Sequence, residues 1–116
     1  MKAVHLICRY DEDRKRPKGI FKIEGKDRHT SEAWCFSNEE AESLIGGTIF
    51  FHKTKKEKSH FGGTVTAFEE LFRDDLARKD RIKFTLTATT EAKNQNWRGK
   101  DHGMAWTGDI IDIEDN

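Results

Sequence analysis

Apolar residues along this chain come in short runs separated by polar and glycine punctuation. The densest stretch, Ala33 to Gly63 (AWCFSNEEAESLIGGTIFFHKTKKEKSHFGG), reads as strand, helix, strand and turn. Ser37 is placed to cap the helix, Glu40 to reach back to the Ser37 amide, and Glu39 and Glu40 to put negative charge at the positive end of the helix dipole. Ala41, Leu44 and Ile45 then share one face, and Gly46-Gly47 supplies the left-handed residue that stops a helix of about ten residues. Beyond it, Ile49 and Phe51 alternate with Phe50 and His52, so this strand is expected to be covered on both faces.

The flanks read mostly as further strands. Ala3 to Tyr10 sets Val4, Leu6 and Cys8 against His5 and Ile7, and Ile20 to Glu24 is a short strand ended by Gly25. Asp11 to Lys18 and Lys26 to Ser31 are polar and predict loops, as does the basic run Lys53 to Lys58. Gly62-Gly63 predicts a tight turn at positive φ, followed by a strand over Thr64 to Phe68 and a helical turn over Glu69 to Ala77. Arg81 to Thr89 has the cleanest alternation, with Ile82, Phe84, Leu86 and Ala88 opposite Lys83, Thr85, Thr87 and Thr89. Glu91 to Gly103 is a polar loop around Trp97, and Met104 to Ile113 a last strand broken by Gly108. The sum is an α+β fold of about six strands with one or two short helices, its sheet strongly bent or closed into a compact β-barrel.

Composition narrows this picture. A chain of 116 residues suits one core, hence a single domain over 1–116. Lys+Arg and Asp+Glu balance at 21 each, so no global field draws the protein to nucleic acid; attraction must come from local clusters such as Arg14-Lys15-Arg16-Pro17-Lys18, Lys53-Lys55-Lys56-Lys58, and Arg98 with Lys100. Cys8 and Cys35 lie in apolar runs without zinc-site spacing, which points to buried free thiols, with a disulfide between them as the alternative. The N-terminal apolar stretch is too short for a signal peptide, and no stretch reaches membrane-spanning length, so a cytoplasmic protein with no membrane partner is expected.

Candidate chemistry is sparse. His5, His29, His52, His60 and His102 follow no metalloprotease or hydrolase motif, so no catalytic set, metal or cofactor is assigned. His52 and His60 flank the basic loop, where a three-histidine site with His102 is the alternative to plain surface residues. Trp97, flanked by Asn94, Gln95, Asn96 and Arg98, fits either a base-stacking surface or a lid folded onto the core.

The layout of residues 33–52, then SHFGGTV (59–65), then WTGDI (106–110), resembles the PUA-like superfamily, and within it the small EVE-type and ASCH-type domains. That resemblance implies a compact β-barrel with rim helices and, on the EVE side, recognition of modified bases in an aromatic-lined pocket. It would make Trp34 and Phe36 pocket wall, Ser37 both cap and polar contact, and Phe51 and His52 pocket-facing. Ser59, His60 and Phe61 would form the mouth, with Trp97, His102 and Trp106 opposite and Arg98 placed to meet a phosphate.

The expectation is thus a non-enzymatic module that binds a base, nucleotide or short nucleic-acid segment, its indoles converging on one hollow. Two alternatives stay open. One is an enzyme on a nucleotide-like substrate, using His52, His60 or His102 with Asp101 or Asp109; the other is a protein-interaction domain.

Overall fold

The computed structural model describes residues 2–8, 10–11, 16–17, 19–34, 36–54, 56–72, 80–97 and 110–112. Its elements are β1 (Lys2–Ile7), β2 (Tyr10–Asp11), β3 (Arg16–Pro17), β4 (Ile20–Lys22), β5 (Arg28–Trp34), α1 (Asn38–Ser43), β6 (Thr48–His52), β7 (Phe61–Phe72), β8 (Asp80–Ala88), a 3₁₀ turn (Thr90–Ala92) and β9 (Ile111–Asp112). The fold is mostly strand, with one α-helix among the described residues.

The helix forms for the reasons its sequence contains. Ser37 Oγ accepts from the Glu40 amide at 3.1 Å, and the Glu40 carboxylate accepts from the Ser37 amide at 3.0 Å, closing a capping box. Gly46, at φ +84°, turns the chain away. The helix ends at Ser43, short of the ten residues expected, so Leu44 stays buried while Ile45, in the following turn, is 46% exposed and leaves the predicted apolar face.

Seven strands form one mixed sheet in the order β4-β5-β8-β7-β6-β1-β9, in which β1 and β6 run parallel and every other neighbouring pair is antiparallel. Among the described residues the sheet is not closed into a barrel, because β4 and β9 stand at its two edges. It is nevertheless curled. Trp34 on β5 and Phe51 on β6 are three strand positions apart, about 14 Å in a flat sheet, yet their ring centroids lie 6.3 Å apart.

Three local expectations are corrected. Lys26 to Ser31 does not remain a loop, because Arg28–Trp34 pairs with both β4 and β8; its buried residue Ser31 is polar, its Oγ accepting from the Trp34 indole N–H at 2.8 Å. Glu69–Phe72 is strand, not helix, since the β7–β8 ladder continues to Phe72↔Asp80, past a register shift between Val65 and Ala67. Gly62-Gly63 is not a turn. Both glycines lie inside β7 without positive φ, and a Cβ would collide with the Ile49 carbonyl oxygen at Gly62 or the Thr87 carbonyl oxygen at Gly63. The Asp11–Lys18 loop carries a short β2–β3 ladder, while residues 73–79 and 104–109 lie outside the described residues.

The main core lies on one face of the curled sheet. Val4, Leu6, Ile49, Phe51, Val65, Ile82, Phe84 and Leu86 pack there with Ala41 and Leu44 of the helix. Strand alternation sends Ala3 and Phe50 to the other face, where they pack with Ala92 and Ile111. None of the described helices is long and apolar enough to cross a membrane.

Gly62 is where the chain segment after β8 meets this second face, because its missing side chain leaves room for the Ala92 Cβ. Gly62→Ala is expected to cost about 1–3 kcal/mol through overpacking. Urea denaturation measures it, and wild-type stability would contradict the close approach.

Candidate functional site

The second face of β1 and β6 carries the most unusual chemistry in the described structure. Parallel pairing sets His5 beside Phe50 and Ile7 beside His52, so His5, Phe50 and His52 share one face. His5 stacks on Phe50 at 4.6 Å between centroids with 16° between planes, and both histidines are fully buried.

His5 Nδ1 and His52 Nε2 lie 2.7 Å apart, and His52 Nδ1 is 2.9 Å from the Glu57 carbonyl oxygen. A carbonyl only accepts, so His52 Nδ1 carries a hydrogen, and neutral His52 is left with an Nε2 lone pair. His5 Nδ1–H therefore donates to it. The result is a directional chain: His5 N–H to His52, His52 N–H to Glu57.

His60 stands beside this chain, half-buried, its Nε2–H donating to the Cys8 carbonyl at 3.2 Å. Burial pushes His52 below the ordinary histidine pKa; its bond to the Glu57 carbonyl opposes that and charge on His60 adds to it. Burial likewise lowers His60, against the Cys8 carbonyl bond, with Lys53 lowering it further and Glu57 raising it. Burial also pushes the Cys8 thiol up to about 12, so it is a core residue and no nucleophile.

Residues 90–97 roof the pair. Ser59, 2% exposed, fastens this segment: its hydroxyl donates to the Ala92 carbonyl at 2.6 Å and accepts from the Gln95 amide at 3.0 Å. Its backbone adds two bonds, Ser59 N–H to Gln95 O at 2.9 Å and Asn94 N–H to Ser59 O at 2.7 Å, with Asn94 in the left-handed region at φ +62°. The roof ends in Trp97, half-buried, edge-on to His52 at 5.1 Å and 64° and tilted over His5 at 5.5 Å. The lid alternative for Trp97 describes this packing.

The candidate residues divide between two faces. His52, Ser59, His60 and Trp97 gather on the roofed side. Trp34, Phe36, Phe51 and Phe61 belong to the main core on the opposite side, with Phe51 6.1 Å from Phe61 and Phe36 5.8 Å from Phe84. Phe51 and His52 are consecutive in β6, so the strand itself separates Trp34 from Trp97, and these two indoles do not converge on one hollow. Ser37 is exposed and engaged in the helix cap. Arg98, His102 and Trp106 lie outside the described residues, as do Asp101 and Asp109.

His5 and Phe50 are members of the site that the sequence reading passed over. The signal was present: His5 breaks an apolar run on the same alternation phase as Ile7, and His52 does so on the phase of Phe50. What was missing was the parallel register that joins the two strands. Among the described residues no three His, Cys, Asp or Glu side chains are grouped to hold a metal ion. The loop after β6 carries Lys53, Lys56 and Lys58, all exposed, beside the roofed face.

No protein-family model matches the chain, and neither a curated protein nor a solved structure matches it.

Two outcomes follow from this geometry. Ser59→Ala removes a buried hydroxyl with two backbone partners and is expected to cost about 1–3 kcal/mol, with faster hydrogen exchange at the Gln95 amide than at β7–β8 amides. Stability is also expected to fall with acid. The unfolded chain takes up protons at histidines with pKa about 6.5 while folded His52 and His60 resist them, so stability is full above that pH and declines as pH drops below it toward the lowered folded values. A flat stability profile from pH 7.5 to 5 contradicts the burial of the two rings.

Proposed function

We propose that this protein is a non-enzymatic binding module of PUA-like layout that holds a base, nucleotide or short nucleic-acid segment. The observation that carries the reading is Trp97: a half-buried indole held at a fixed angle against a histidine pair, next to a loop with three exposed lysines. Stacking on an aromatic tolerates any base, and adjacent lysines meet the phosphates, which is the combination single-strand and nucleotide binders use. Polar groups near the indole, His60 and the Asn94–Asn96 stretch, are of the type that reads base edges. The curled, mostly β architecture with one capped helix is compatible with the EVE-type and ASCH-type resemblance, in which the ligand is a modified base.

A second reading draws on a specific observation, the His5–His52 hydrogen bond, which is the kind of coupling an acid–base enzyme uses. It requires a carboxylate or equivalent partner to orient the pair. Among the described residues Glu57 meets His52 through its backbone carbonyl, so the binding reading is preferred.

The test is a panel of nucleosides, modified nucleosides and short oligonucleotides screened by thermal shift, because a ligand that favours the native state raises its melting temperature. Trp97→Ala is expected to weaken the best binder by about 1–3 kcal/mol, and affinity for oligonucleotides to fall as salt rises. Unchanged affinity in Trp97→Ala removes the stacking role, and turnover of a nucleotide substrate establishes the enzyme reading instead.

A further inference from the structure

The His5–His52 pair has a property that no single buried histidine has. Its two facing nitrogens are 2.7 Å apart and hold one hydrogen between them. At most one further proton leaves that bond intact, at His5 Nε2, since His5 then still donates from Nδ1 to the His52 lone pair. A second is not. Were both rings protonated, two N–H groups would point at each other across 2.7 Å, in a site where neither ring reaches water.

We propose that the His5–His52 pair is an acid-sensitive latch for Trp97, holding the indole in place at neutral pH and releasing it when the pair is driven to take up two protons. The geometry supplies each part. Trp97 packs on both rings, so it cannot keep both contacts if they separate. Ser59 fastens the same segment at Ala92, Asn94 and Gln95, so separation frees the Trp97 end while the Ala92 end stays attached to β7.

The proton count sets the steepness. Well below pH 6.5 the open pair binds two protons and the closed pair at most one, so opening takes up at least one. The open-to-closed ratio therefore rises by at least about tenfold per pH unit. The charges around the pair do not cancel this. On the loop after β6, His60 acts against protonation of His52, and Lys53 and Glu57 act on His60 in opposite directions. On the roof, Glu91 and Lys93 are both exposed, and Lys2 on β1 is exposed as well.

The consequence for function rests on the proposed role of Trp97 as the stacking residue: protonation and ligand binding oppose each other, and a bound base is released as the solution acidifies. The latch itself is tested without any ligand. Hydrogen exchange of the Trp97 indole N–H, assigned by its loss in Trp97→Phe and corrected for intrinsic exchange, is followed from pH 7.5 to 5 on the whole protein alongside the β7–β8 amides. The expected result is a loss of indole protection that steepens below pH 6 and reaches at least about tenfold per unit near pH 5, with the β7–β8 amides still protected. His5→Asn sharpens the test. The asparagine amide replaces Nδ1–H as donor and, by flipping, accepts from a protonated His52, so the variant is expected to lose the steep acid dependence. Indole protection that stays constant to pH 5, or disappears only with the β7–β8 amides, overturns the latch, as does a folded His5→Asn with wild-type acid release. If His5→Asn does not fold, the wild-type exchange profile decides alone. Failure of the latch leaves nucleoside binding at pH 7.5 untouched, so the two proposals fail separately.

Discussion

Strand β6 is buried on both faces, and that constraint organises everything around it. Parallel pairing with β1 removes both strands from the solvated edge and demands cover above and below. On one side the cover is the main core: Phe51 and Ile49 meet Trp34, Phe61 and the helix residues Ala41 and Leu44. On the other side, among the described residues, the cover is the polar segment 90–97 with its one large ring, and Ile111 beside Ala3 and Phe50. Histidines that have lost water must then bond to each other, and the Glu57 carbonyl takes the N–H that His52 has left.

The polar half of the molecule is therefore built by hydrogen bonds where the other half is built by area. Ser59 replaces what a hydrophobic contact would do, since four backbone groups of the roof bond to its hydroxyl and its own main chain. A site of this kind is specific and conditional. Its packing depends on the protonation of two rings, whereas among the described residues the main core buries one ionisable group, the suppressed thiol of Cys8.

Much of the fold was legible in the sequence because local and global preferences agree there. The capping box at Ser37 and Glu40, the alternation of Ile82, Phe84 and Leu86, and the two-sided burial of β6 all follow from residue types at fixed spacings. Where they disagree, tertiary pairing wins. The polar residues of Arg28–Trp34 gave no apolar alternation to read, and the Glu69–Phe72 end of β7 takes its conformation from β8 and not from its own spacing. The glycine pair of β7 looked like a turn because composition does not distinguish positive φ from close backbone approach. The candidate site was half legible: His52, Ser59, His60 and Trp97 were singled out, but the division of β6 between two faces sends Trp34 and Phe51 elsewhere and brings in His5 and Phe50.

The central claim is that two histidines distant in sequence form one directional N–H···N bond beneath Trp97. The most direct measurement is nitrogen NMR of ¹⁵N-histidine-labelled protein at pH 7.5, reading the tautomer of each ring and the coupling between their nitrogens across the hydrogen bond. The account predicts hydrogen on Nδ1 of both His5 and His52 and a resolved coupling between His5 Nδ1 and His52 Nε2. Hydrogen on Nε2 of His52, or the absence of that coupling in the folded protein, would contradict it.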